Sequence, residues 1–456
     1  MRKLQRLGTI GLLLWLSGCA AGYSGLMRGT LKSLEGGDYQ KAIEQLEAGK
    51  DQSDKLLYRL EKGLIYHYQG AYEASNKQFA KAEKLIDKRF TKSVSRELAA
   101  FVTNDAIRKY TGEEFERVLI HYYRTMNYEK LGQRDEALVE CRKANLRLED
   151  FAAAADYTLT YKNDAFLQYM TGLFYAADGD LSDAYISFKD AEQGYQAYHE
   201  QFGIGVPRLL IDDLINTAVH LGYREDVEQY MERYRRAGVA PIPSSGGDVV
   251  LFVETGKVPR KRQQEIRLPI FEADDTRHVH TLSDRMVSRH HRHHHHHPYG
   301  KVEYWLKVAT PYYEEGGSEV AGISVRAGGV EVDGVLVEGV GAIARRTLQD
   351  KEDAILARTV ARALTKYILS EKAEDESEIL GFLVNMLGMA TEMADTRSWL
   401  SLPDEVHMAR LSPPPGTIDL VVEFLNGRGQ VIESGMIPQV VVDPDATTFL
   451  SYRSYR

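Results

Sequence analysis

Half of the fourteen histidines stand in one tract, Arg289-His290-His291-Arg292-His293-His294-His295-His296-His297-Pro298. Asp274, Asp275, His278 and His280 lie just upstream. Neutral imidazole binds zinc, copper and nickel, so His290, His291, His293, His294, His295, His296 and His297 are candidate metal ligands. Such a tract offers several donors but no fixed geometry. It has equally the composition of a low-complexity loop lying outside a core. No motif requires a cofactor, and Zn, Cu or Ni would be held there adventitiously.

The internal acidic and glycine-rich patterns are weaker. The chain has two cysteines, Cys19 and Cys141, which excludes a disulfide framework and any multi-cysteine zinc or iron–sulfur site. The acidic run Glu113-Glu114-Phe115-Glu116 precedes a helical pattern. Carboxylates there complement the helix dipole, so the run reads as a cap and not as a catalytic pair. Gly339-Val340-Gly341-Ala342-Ile343-Ala344 has dinucleotide-loop spacing. A helical pattern follows it, where that fold needs a strand bearing a ribose-binding acid, and it is set aside. No nucleophile motif, zincin helix or phosphate loop is found, and the chain reads as a non-enzyme.

Cys19 carries the sharpest signal. Arg2, Lys3 and Arg6 precede an apolar run, Ile10–Leu16, too short to span a bilayer, and then Ser17-Gly18-Cys19. This resembles the lipobox of bacterial lipoproteins. The resemblance implies a signal peptide over residues 1–18, cleavage before Cys19, and acylation of its thiol. Ala20 and Ala21 follow in place of the aspartate of inner-membrane retention. The expected location is therefore the cell envelope, lipid-anchored in the outer membrane and facing the periplasm.

Most of the 27 tyrosines precede residue 241, where the chain carries a repeating pattern. Gly63-x-x-Tyr66-x-x-x-Gly70-x-Tyr72, followed by Phe79 and Ala82, matches Gly172-x-x-Tyr175-x-x-x-Gly179, followed by Ala184, Phe188 and Ala191. Tyr128, Gly132, Ala137, Cys141 and Ala144 make a third copy. Gly37, Tyr39, Ala42 and Leu46 begin a partial first one, and Gly222, Val227, Met231 and Tyr234 form a degenerate last one. The copies resemble the tetratricopeptide (TPR) repeat, a pair of antiparallel helices. A small residue in the first helix lets the second approach, a glycine turns the chain, and a large residue fills the inter-repeat core. Cys141 occupies that core position and reads as a buried thiol. Only the first spacing, Gly37 to Gly70, is near the TPR period of about 34 residues. Extra helix is expected over residues 88–118. Stacked repeats make a concave surface, and repeat mapping places His67, Tyr122, Met126, Tyr169, Asp212 and Asn216 in a partner-binding groove.

Ala240-Pro241-Ile242-Pro243-Ser244-Ser245-Gly246-Gly247 marks a linker over 241–248. Beyond it, strands are predicted at 249–253, 264–271, 301–310 (ending at Pro311), 323–325, 330–340, 406–411, 417–425 and 430–442, with a hairpin at Asn426-Gly427. Helices are predicted at 349–370 and 377–394. The fold class is α+β: an N-terminal all-α TPR-like helical solenoid (19–240), then a β-rich domain (249–456) with two inserted helices and a His-rich loop over 278–297. In Ala394-Asp395-Thr396-Arg397-Ser398-Trp399-Leu400-Ser401-Leu402-Pro403, Asp395 and Arg397 are expected to pair and stack on Trp399, locking helix to sheet.

With the lipobox and the irregular repeats, that segment resembles a bacterial envelope family of TPR-type lipoproteins over most of the chain. The resemblance implies envelope or cell-wall assembly work and carries over no catalytic residue. Net charge of −9 argues against nucleic acid as a partner. The sequence thus points to a lipid-anchored periplasmic adaptor that grips an envelope protein or peptide in its groove and meets the membrane through its N-terminal lipid. The alternative is a metal-binding lipoprotein working through the histidine tract.

Overall fold

The computed structural model describes residues 23–93, 109–154, 158–236, 247–271, 302–315, 318–376 and 393–456. After a single turn at Tyr23–Leu26, ten helices form five antiparallel hairpins: α1 (Arg28–Glu35) with α2 (Tyr39–Ala48), α3 (Lys55–Tyr68) with α4 (Tyr72–Ser93), α5 (Glu114–Lys130) with α6 (Arg134–Ala154), α7 (Ala165–Ala177) with α8 (Leu181–Phe202), and α9 (Arg208–Leu221) with α10 (Arg224–Arg233). Each hairpin turns on a glycine in the left-handed region: Gly37, Gly70, Gly132, Gly179 and Gly222, at φ between 69° and 83°. In each turn the next residue donates its N–H five residues back, as Ala71 does to Tyr66 and Tyr223 to Ala218. This Schellman geometry is favoured by a residue with no Cβ, which explains the five glycines.

The small-to-large pairing is equally literal. A Cβ on Gly63 would come within 2.6 Å of Phe79, and one on Gly172 within 2.4 Å of Phe188. In the third hairpin, Thr125 stands at the glycine position and Cys141 at the phenylalanine position, with Oγ1 and Sγ 3.4 Å apart. The larger first residue is offset by the smaller second one. Cys141 is buried and free, its thiol pushed up to about 11 by burial.

The second half is layered. Sheet one has order β10-β1-β7-β6, with β1 Val249–Thr255, β6 Val335–Glu338, β7 Glu405–Leu411 and β10 Thr448–Arg453. Sheet two has order β5-β4-β8-β9, with β4 Gly322–Ala327, β5 Val330–Asp333, β8 Gly416–Leu425 and β9 Val431–Val442. They stack as a sandwich over Val249, Leu251, Val253, Ile323, Val325, Val422 and Phe424. The opposite face of sheet one, with Val250, Phe252, Met408 and Phe449, packs into the helical core. β1 is therefore buried on both faces, which accounts for its unbroken apolar run. A third pair, β2 (Lys261–Phe271) with β3 (Val302–Tyr313), forms a separate ribbon. It packs on the long helix α11 (Val340–Glu376) through Leu306, Val308 and Ala363.

Several expectations shift. Pro311 does not end β3, which runs to Tyr313; the Glu314 N–H bonds the Arg260 carbonyl, and in that register Gln263 and Pro311 form a non-hydrogen-bonded pair, so the missing N–H leaves no ladder bond unmade. The predicted strand 330–340 is two strands divided between the sheets at Gly334, where a Cβ would lie 2.3 Å from Ile323. α11 starts at Val340, earlier than 349, and α4 extends to Ser93. β10 was not anticipated; it pairs parallel to β1, while β1 and β7 are antiparallel. The signal peptide, Cys19, residues 241–246, the His-rich loop and residues 377–392 lie outside the described residues. Among the described residues, no helix is long and apolar enough to cross a membrane.

Candidate functional site

The first helices of the second to fifth hairpins supply the face that meets sheet one. Its centre is Glu254 at the end of β1, fully buried. Tyr68 of α3 donates to its Oε2 at 2.5 Å, and Tyr123 of α5 at 3.2 Å. Tyr122 donates to Oε1 at 3.1 Å. Burial holds Glu254 above the usual carboxylate range, with the nearby Arg453 opposing. Further along, Arg410 of β7 makes a two-pronged pair with Asp213 of α9, both contacts at 2.5 Å. Tyr169 of α7 donates to the same carboxylate at 2.7 Å. Phe174 of α7 stacks on Phe449 of β10 at 4.2 Å.

This corrects the open groove. Tyr122, Met126 and Tyr169 are fully buried and His67 is 4% exposed. Tyr122 and Tyr169 do face the hollow side, but its occupant is the chain's own sheet, so they present nothing to an outside partner. The Nδ1–H of His67 donates to Asn127 Oδ1 (2.7 Å) between hairpins, and burial pushes His67 down to about 4. Asp212 is half-buried and bonds Arg236 at 2.6 Å. Asn216 is also half-buried, its backbone carbonyl 3.0 Å from His220. The acid that reaches the sheet is Asp213, the neighbour of Asp212. Arg410, Glu254 and Asp213 went unrecognised; the available signal was a charge placed within an otherwise apolar strand, as in Val249–Glu254 and Val406–Leu411.

The Ala394–Pro403 segment is clamped by two more buried acids. Glu116 of α5 accepts the Trp399 N–H at 2.6 Å, the Glu113 N–H at 3.0 Å and the Tyr110 hydroxyl at 2.5 Å. Glu61 of α3 accepts the Leu400 N–H at 2.9 Å, the Tyr23 hydroxyl at 3.1 Å and the Ser401 hydroxyl. Burial pushes each carboxyl up to about 7. Arg397 pairs with Asp395 at 2.8 Å as expected, but it stacks on Tyr110 at 5.3 Å. Trp399 is instead sealed between Phe79 and Tyr123. The acidic run is a helix start, as read: Glu116 closes back onto the Glu113 N–H, while Lys261 of β2 and Lys351 of α11 bind Glu113.

The dinucleotide-like glycines face protein. A Cβ at Gly341 would lie 1.9 Å from Asp404, and one at Gly339 2.8 Å from Ile204. Glu83, His121 and Glu140 bring ligand-type atoms within 4.8 Å of one another. Arg124 pairs with both carboxylates and Lys143 with Glu140, so the cluster is a charge-balanced network joining α4, α5 and α6.

No protein-family model and no curated protein matches the chain. Among solved structures it is similar to one described as the crystal structure of MamA, at 13% identity over 44% of this chain and 90% of that one, with a TM-score of 0.28. It is also similar to one described as PilW, a widely conserved type IV pilus biogenesis factor, at 13% identity over 46% and 91%, with a TM-score of 0.21. Likenesses this distant say nothing of function, and the TPR-like character rests on the five glycine-turned hairpins themselves.

Proposed function

We propose that this chain is a lipid-anchored periplasmic scaffold, tethered to the outer membrane through Cys19, that binds an envelope protein partner through surfaces outside its filled groove. The observation that carries this reading is the burial of Tyr122 and Tyr169 against Glu254, Asp213 and Arg410, which makes the solenoid a mount for the sandwich. The ribbon is the surface best suited to a partner. It pairs with neither sheet, and it presents Trp305 at 54% exposure. An exposed tryptophan supplies a large rigid anchor for a protein interface.

The test is in-cell photocrosslinking with the probe at residue 305 or at residue 122. A specific adduct from 305 and none from 122 is expected. An adduct from 122 instead would restore the open groove and overturn the proposal. The histidine tract, which lies in sequence between β2 and β3, supports the second reading, metal uptake. Deleting residues 289–297 separates the two: a scaffold keeps its adduct and its zinc and copper tolerance, whereas a metal buffer loses tolerance.

A further inference from the structure

α4 turns Phe79, Ala82 and Ile86 into the core. The 3.6-residue period therefore sends Lys77, Lys81, Lys84 and Lys88 to the opposite side, where all four are exposed. None of the four forms an ion pair among the described residues. Of the acids on the same helix, Glu83 pairs with Arg124, Asp87 pairs with Arg147 of α6 at 3.1 Å, and Glu73 stands one turn before Lys77. Arg59 of α3 adds a fifth cation. Its guanidinium donates at 2.6 Å to the neutral Gln78, which lies between Lys77 and Lys81 in sequence. The Lys81 ammonium is held below its ordinary value, chiefly by Arg59 and also by Lys77 and Lys62. In a chain of net charge −9, positive groups that crowd one another in this way mark a face suited to an anionic counterpart.

The neighbouring α6 carries an apolar counterpart. Ala137, Cys141, Ala144 and Leu148 fill the core, while Val139 and Leu146, seven positions apart on the opposite side, are 40% and 61% exposed. The exposed acids Asp135, Glu136, Glu149 and Asp150 stand toward the two ends of α6, with Arg142, Lys143 and Arg147 between them. The Arg147–Asp87 pair joins this stretch to α4. Exposed lysines beside exposed aliphatic side chains fit an anionic bilayer, which takes cations at its headgroups and aliphatic groups just beneath them. The start of the chain points the same way. Tyr23 donates to Glu61 of α3, the partner of α4 in its hairpin. Cys19 stands four positions earlier, so it lies within about 14 Å of Tyr23 even with the backbone fully extended.

We propose that the outer side of α4 and α6 rests on an anionic lipid surface, with the α4 lysines at phosphate headgroups and Val139 and Leu146 entering between them. The inference deepens the lipid-anchored reading and rests on it for the bilayer that Cys19 supplies; the second contact fixes which side of the tethered molecule faces that bilayer.

The test uses a chain beginning at Ala20, which keeps every described residue and lacks the Cys19 thiol, so acylation plays no part. It is sedimented with vesicles of phosphatidylcholine alone and of phosphatidylcholine with about one-fifth phosphatidylglycerol. Recovery with the anionic vesicles only is expected, declining as salt rises. Lys77→Gln, Lys81→Gln and Lys84→Gln together should weaken that binding by about tenfold or more, and Leu146→Ser by about threefold or more, with melting temperatures unchanged. Lys32→Gln with Lys41→Gln, at exposed positions of the first hairpin, should leave it intact. No recovery with anionic vesicles, equal recovery with both compositions, equal loss in the control pair, or displacement by inorganic phosphate at matched ionic strength would overturn the proposal. Failure of the Cys19 reading shows separately, as a full chain without fatty-acid label whose vesicle binding is retained.

Discussion

Glu254 receives hydroxyls from three tyrosines on two helices, and Arg410 is held by a carboxylate from a third. Such groups cost desolvation on burial, and removing one partner strands the other. Asp213→Ala is therefore expected to destabilise the fold by about 3–5 kcal/mol in urea unfolding, whereas Asp213→Leu with Arg410→Met together should cost far less. The same logic explains why repeat position alone does not tell a groove residue from an internal one. Tyrosine suits an internal interface as well as an external one, because its ring is apolar and its hydroxyl needs only one partner. Position within the repeat placed Tyr122 and Tyr169 on the hollow side, but no local signal names the occupant. Cys19 belongs to this scale too: metabolic fatty-acid labelling should mark the wild-type chain and leave Cys19→Ala unlabelled.

Helices and turns were legible where the requirement is local. A left-handed turn favours glycine at one position, so Gly37, Gly70, Gly132, Gly179 and Gly222 mark the hairpins despite uneven spacing. The close helix crossing is also written locally, in Gly63 with Phe79 and Gly172 with Phe188. Gly172→Ala should cost about 1–3 kcal/mol through overpacking. Adding Phe188→Leu should restore part of the melting temperature, since the third hairpin already balances a larger first residue against a smaller second one. Elements defined by distant partners were harder to read. β10 is six residues long and exists because β1 lies beside it. The start of α11 is hidden because a strand-like run leads straight into Val340 and Gly341 stands in the first turn of the helix.

At the scale of the whole molecule, the buried acids make stability depend on pH. Glu61 and Glu116 are raised to about 7, and Asp164 and Asp404 to about 6, each chiefly by burial. A raised folded value means that the folded chain holds protons the unfolded chain has released. The stabilisation is complete at low pH and is lost as pH rises through 6 to 7. His67, lowered to about 4, acts oppositely, losing its contribution as pH falls below its unfolded value. With these four acids, and Glu254 and Glu338 raised by burial as well, against one histidine, the melting temperature is expected to be higher at about pH 5.5 than at about pH 8, and Glu61→Gln with Glu116→Gln should reduce the difference. Severing the halves is a harsher test. A chain ending at Arg236 bares the tyrosine-rich hollow, and dye binding or light scattering should report aggregation that residues 247–456 relieve when supplied separately. The parallel pairing of Val249 with Thr448 carries a kinetic corollary. Those partners are about 200 positions apart, a separation that makes loop closure slow. During synthesis the helical hairpins emerge long before the strand that completes their lid, so the nascent polypeptide passes through a stage with its greasiest surface uncovered and in need of a chaperone.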